Sequence, residues 1–163
     1  MALGADSGCG RIKMKRRRFS ASFIILLIAA ILVICFIWGN SILPGSQSNN
    51  VSIGFRNFLM EKLQGIDWIH VPGNAVMRKL AHVTEFSVLG AVLTIMLKGM
   101  MRISCGWVLF AGMSVALADE TIQLFAGSRT SSVKDVWIDM SGFCTGVVIV
   151  MLVMLLWRAI KRR

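Results

Sequence analysis

Four apolar runs, each able to reach the length of a membrane crossing, constrain what this chain can fold into more than any other feature. An α-helix rises about 1.5 Å per residue, so about twenty residues cross a hydrocarbon core of about 30 Å. Residues 19–38 do so outright. The uninterrupted apolar parts of the next two runs, 86–97 and 103–118, are too short alone. Completing them draws Arg78, Lys79, His82 and Glu85 into the second span and Asp119, Glu120 and Gln123 into the third. The predicted spans are therefore 19–38, 78–97, 103–123 and 136–157. Because a chain in lipid must satisfy its own backbone hydrogen bonds, they imply an all-α integral membrane four-helix bundle. Composition agrees: 56% of residues are hydrophobic and 16% charged, where soluble domains carry roughly 25% charged residues.

The net charge of +10 sits mostly in the tails. Six basic residues from Arg11 to Arg18 precede the first run, and Arg158, Lys161, Arg162 and Arg163 follow the last. The sequence thus divides into a basic tail over 1–18, a membrane domain over 19–157 and a second basic tail over 158–163. Lys98 and Arg102 mark a tight turn between the second and third spans, while the other two connectors mix signs. The positive-inside rule reads this as both termini cytoplasmic, in a multi-pass protein of the cell membrane. Basic tails this short and this placed are topological, and they argue against nucleic acid as a partner. The first run is long for a signal peptide and lacks a small-residue cleavage site after it, so it reads as a retained helix. Trp38, Trp107, Trp137 and Trp157 fall near the span ends, as an interfacial belt requires.

Gly39 to Asn50 reads as a loop, with Pro44-Gly45 at its centre. Over 51–68, Ile53, Phe55, Phe58, Leu59, Leu63 and Ile66 recur at three- and four-residue steps. That is an amphipathic helix, lying in the outer membrane interface or packed as a cap on the bundle. The four cysteines show no metal spacing and no disulfide framework. On the fourth span, Gly142-x-x-x-Gly146 allows close helix approach, so membrane lipids and a second copy of this chain packed through Gly142 and Gly146 are the expected partners.

On this layout the outer ends of spans two to four carry Arg78, Lys79, His82, Glu85, Asp119, Glu120, Gln123, Arg129, Asp135 and Asp139. Ionisable groups at membrane depth are expensive and mark functional sites by default. Arg78, His82 and Glu85 share a helix face at i, i+4, i+7, and Asp119 and Gln123 are i, i+4 neighbours. His82, Glu85, Asp119, Glu120 and Asp139 form the candidate pocket. They could hold a divalent cation, act as general acid and base, or bind a polar headgroup. Arg78, Lys79, Gln123, Arg129 and Asp135 are the candidate ligand-binding residues, the cations suiting anionic groups. The competing reading is structural. Ser132 and Asp135 match a helix capping box, Arg78 and Lys79 suit interfacial anchors, and the whole set could be a salt-bridge network closing the bundle. No nucleophile elbow, His-Glu-x-x-His or phosphate-cradling glycine loop is present.

With Arg78-Lys79-Leu80-Ala81-His82 followed by Glu85-Phe86, then Asp119-Glu120-x-x-Gln123, Arg129, Asp135, Asp139 and Gly142, the chain resembles the VanZ-like family of small bacterial membrane proteins. The resemblance runs from about Ser41 through the fourth span. Phe86 stands where the family often has tyrosine, and Asp139 where asparagine is also common. The resemblance implies a cell-envelope protein, and the family's namesake is tied to low-level resistance to the glycopeptide teicoplanin. Three functions are then open: a pocket that binds a lipid or glycolipid headgroup, a membrane-embedded acid–base or metal-dependent enzyme at the same pocket, and a small ion-coupled transporter working as an oligomer.

Overall fold

The computed structural model describes residues 20–42, 73–126 and 132–162, together with 53, 54, 57 and 61. Most of the expected amphipathic segment over 51–68 lies outside the described residues, as does Arg129. The described chain is all-α. Helix α1 is Ala21–Ile42. Helix α2 is Asn74–Leu93 and continues through a π-helical segment, Thr94–Met100. Helix α3 is Cys105–Phe125 and α4 is Val133–Lys161. All four are long and apolar enough to cross a membrane.

Every span boundary shifts by two to four residues from the sequence reading, and two of the shifts have a clear local reason. Helix α1 continues through Gly39, Asn40 and Ser41 to Ile42, where a loop was expected. The first residue that forbids helix continuation is Pro44, which also disfavours helical geometry just before it. Helix α2 likewise runs through Lys98 to Met100, so the turn falls at 101–104. Arg102 closes this end with φ 57°, and the Ile103 amide donates to the Leu97 carbonyl at 2.9 Å. This is the left-handed cap common at helix C-termini, one residue wider because the turn it closes is π-helical.

The helices alternate in direction, and the most extensive pairing is α2 with α4. Small residues make it possible. A Cβ added at Gly142 would lie 2.8 Å from the Val83 Cα, and one at Gly146 would lie 2.8 Å from the Ser87 carbonyl carbon. At Gly90 an added Cβ would meet the Phe143 carbonyl, and at Gly112 of α3 the Phe143 ring. Phe143 is fully buried and lies where α2, α3 and α4 meet, alongside the buried Phe86, Leu89, Val108 and Ala116. Ser87 adds a polar stitch, its hydroxyl within reach of the Val83 carbonyl at 2.7 Å and the Gly142 carbonyl at 2.8 Å. Gly142 and Gly146 are thus buried against α2 of the same chain.

The outward faces are apolar, as in Ile24, Ile28, Leu32 and Phe36 of α1 and Leu152, Val153 and Leu156 of α4. Trp107, Trp137 and Trp157 point outward near helix ends, whereas Trp38 packs against the core. Hydroxyls on exposed faces return to their own helix: Thr84 to the Leu80 carbonyl, Ser114 to Phe110, Thr121 to Leu117 and Thr145 to Ser141. Such back-bonding is how serine and threonine stay satisfied where no water reaches them.

Replacing Gly146 by valine forces α2 and α4 apart and is expected to destabilise the bundle by about 1–3 kcal/mol, the usual range for overpacking. Val148→Ala, on the exposed face of the same helix, is expected to change little. Thermal unfolding of both variants in one detergent checks the contrast.

Candidate functional site: a buried polar layer at one end of the bundle

The alternation of the helices brings the C-terminal ends of α1 and α3 beside the N-terminal ends of α2 and α4. His82, Asp119 and Asp139 each lie six to eight residues inside their helix ends, a depth of about 9–12 Å. All four helices supply polar groups to this layer. Asn40 of α1 donates to Glu85 Oε1 of α2 at 3.0 Å. Gln123 of α3 donates to Asp119 Oδ2 at 2.8 Å, and its Nε2 is 3.3 Å from the Ser41 hydroxyl of α1.

The layer is buried. Asp119 is 0% exposed, Asp139 2%, Glu120 5% and Gln123 7%. His82 Nδ1 is 3.9 Å from Glu85 Oε2 and 4.0 Å from Asp119 Oδ2. His82, Asp119 and Asp139 each offer one ligand-type atom, and the three atoms lie within 4.8 Å of one another. Asp139 Oδ2 is buried with no hydrogen-bond partner among the described residues. Carboxylates and an imidazole drawn from three helices and largely held out of water can coordinate a cation, exchange a proton or bind a polar headgroup.

A second, shallower layer sits nearer the helix ends. Lys79 Nζ and Asp135 Oδ1 are 3.1 Å apart, with side chains 53% and 30% exposed. Arg78 is half-buried beside Lys79. Ser132 is the N-cap of α4, and its hydroxyl accepts from the Lys134 amide at 3.2 Å. The capping serine expected from the sequence is therefore in place, while the Asp135 carboxylate engages Lys79.

Of the residues expected in the site, His82, Glu85, Asp119, Gln123 and Asp139 converge, and Glu120 is buried on the same turn of α3 as Asp119. Lys79 and Asp135 pair at the rim. Asn40 and Ser41 were missed, because the glycine and proline around them read as a loop. The signal available was their spacing from Trp38, which continues the apolar helix without a breaker before Pro44.

Removing the Gln123 side chain amide leaves Asp119 and Ser41 without that donor. Gln123→Leu is expected to cost about 1–3 kcal/mol, the range for orphaning a buried polar partner. Thr121→Ala, on the exposed face two residues earlier, is expected to cost far less, as thermal unfolding of the two variants would read.

No curated protein and no solved structure matches the chain. The model of the VanZ/LLP1 family does match, over residues 23–156, a stretch that takes in most of all four helices and every converging residue named above. This chain is a multi-span membrane protein of the VanZ/LLP1 family.

Proposed function

We propose that the polar layer is a pocket for a membrane lipid or glycolipid headgroup, in a protein of the cell envelope. The observation that carries this reading is the burial of Asp119, Glu120 and Asp139 within a ring of polar groups drawn from four helices. Polar groups at this depth meet few molecules other than the headgroups of the surrounding bilayer, and a headgroup supplies the donors and hydroxyls such acceptors need. Lys79 and Arg78 stand at the mouth, where a phosphate would pass. The basic termini put both chain ends on the cytoplasmic side and the pocket on the outer side. A protein holding or altering an outer-leaflet headgroup changes the surface that lipoglycopeptide drugs such as teicoplanin meet.

The nearness of His82 to two carboxylates favours a second reading at the same place, acid–base chemistry on the bound headgroup. The two readings differ in outcome, since an enzyme leaves a new lipid product whereas a binding pocket leaves only a retained lipid.

The test is lipid analysis of the protein purified in a mild detergent, wild type against His82→Gln, Asp119→Asn and Glu120→Gln at matched abundance. The wild type is expected to retain one lipid class severalfold above its share of the membrane, and the variants to lose it. Equal lipid content in all four proteins, with no new product in the cells, sinks both readings. Cells carrying the wild type are also expected to differ from the variants in teicoplanin susceptibility, read as the inhibitory concentration.

A further inference from the structure

We propose that His82, Asp119 and Asp139 bind a single divalent transition-metal ion. The site goes beyond headgroup recognition and can stand without it. Three helices each contribute one ligand, His82 from α2, Asp119 from α3 and Asp139 from α4, and their ligand-type atoms lie within 4.8 Å of one another. A triangle of that edge has its centre about 2.8 Å from each corner, within an ångström of ordinary metal–nitrogen and metal–oxygen bonds. Small rotamer shifts close that gap.

Asp139 supplies the independent reason to expect a ligand. The residue is 2% exposed, its carboxyl group supplies one of the three clustered ligand atoms, and its Oδ2 is buried with no hydrogen-bond partner among the described residues. A carboxylate taken out of water needs a donor or a cation, and a second carboxylate close by raises that need. A metal ion answers it for Asp139.

The donor set selects the class of ion. One imidazole with two carboxylates suits Zn²⁺, Mn²⁺ or Fe²⁺, whereas Mg²⁺ and Ca²⁺ prefer oxygen ligands alone. The surrounding contacts are of the kind that orient metal ligands. Gln123 holds Asp119 at 2.8 Å, and Asn40 holds Glu85 at 3.0 Å. Glu85 Oε2, 3.9 Å from His82 Nδ1, is placed either to orient the imidazole or to enter the coordination sphere. Three protein ligands leave a position open for an outside oxygen. With an ion present, a pocket lined by acids accepts a phosphate or hydroxyl oxygen that it would otherwise repel.

The experiment uses the full chain, purified without a histidine tag, stripped with a chelator and titrated separately with Zn²⁺ and Mn²⁺. About one ion per chain is expected to bind saturably, and His82→Gln and Asp139→Asn are each expected to weaken it at least tenfold. Ser114→Ala, on an exposed face of α3 away from the site, is expected to bind as the wild type does. The chain has two histidines, so in a His70→Gln background pulsed electron paramagnetic resonance of bound Mn²⁺ is expected to show coupling to one imidazole nitrogen. That readout stands even if the ligand variants fail to fold. No saturable ion, unchanged affinity in both variants, or Mn²⁺ bound without nitrogen coupling overturns the proposal. Loss of retained lipid in the variants with no metal in the wild type would overturn the ion alone. A bound metal with equal lipid content throughout would overturn the headgroup reading alone.

Discussion

The contact between α2 and α4 is the interaction on which the rest of the molecule depends. In lipid there is no hydrophobic gain from pressing one apolar helix on another, so association rests on close packing and hydrogen bonds. Gly142 and Gly146 remove the side chains that would keep the backbones apart, and Gly90 does the same from the α2 side. Ser87 then reaches a carbonyl of the opposite helix. The same contact sets the polar layer. Val83, which lies against Gly142, is adjacent to His82 in sequence, and Asp139 is one turn before Gly142. A change in the helix separation would therefore move a histidine and a carboxylate apart along with the backbones that carry them.

Much of the architecture is legible in the sequence because the bilayer narrows the choices. Apolar run length sets the number of helices. The shortness of the second and third runs shows which charged residues must be carried into the span, and α2 and α3 both include them. The glycine stripe announces a close approach, although not against which helix. A spacing of four residues looks the same whether the partner is α2 of one chain or α4 of another, and only the tertiary pairing distinguishes them.

The candidate site is legible to a similar degree, with its misses traceable to turn chemistry. His82, Glu85, Asp119, Gln123 and Asp139 stand out because each is polar within an apolar context. Asn40 and Ser41 do not, because Gly39, Pro44 and Gly45 flank them and read as punctuation. A glycine inside a helix costs only about 1 kcal/mol against alanine, and an apolar environment that punishes unpaired backbone groups outweighs it. Lys98 to Met100, expected in the tight turn that Lys98 and Arg102 mark, instead stay helical through Gly99. Asp135 was legible as a cap residue, but its pairing with Lys79 joins helices distant in sequence, which a local motif cannot reveal.

The polar end of the bundle divides into layers that answer different demands. The rim pair, Lys79 with Asp135, joins opposite charges at partial exposure, and an arrangement of this kind closes a helix bundle with little desolvation. Structural closure accounts for the Lys79–Asp135 pair. It explains the inner layer poorly. A bundle that needed only to be sealed there would be served as well by apolar side chains, since replacing buried charges by well-packed hydrophobic groups is often neutral or stabilising. Here Asp119, Glu120 and Asp139 are instead brought together out of water beside His82. Taking carboxyl groups out of water together is costly whichever of them holds a proton, and folding must meet that cost. A buried polar layer of this kind is costly unless something the chain itself does not contain satisfies it, which is why the proposed headgroup and ion are both set in the inner layer.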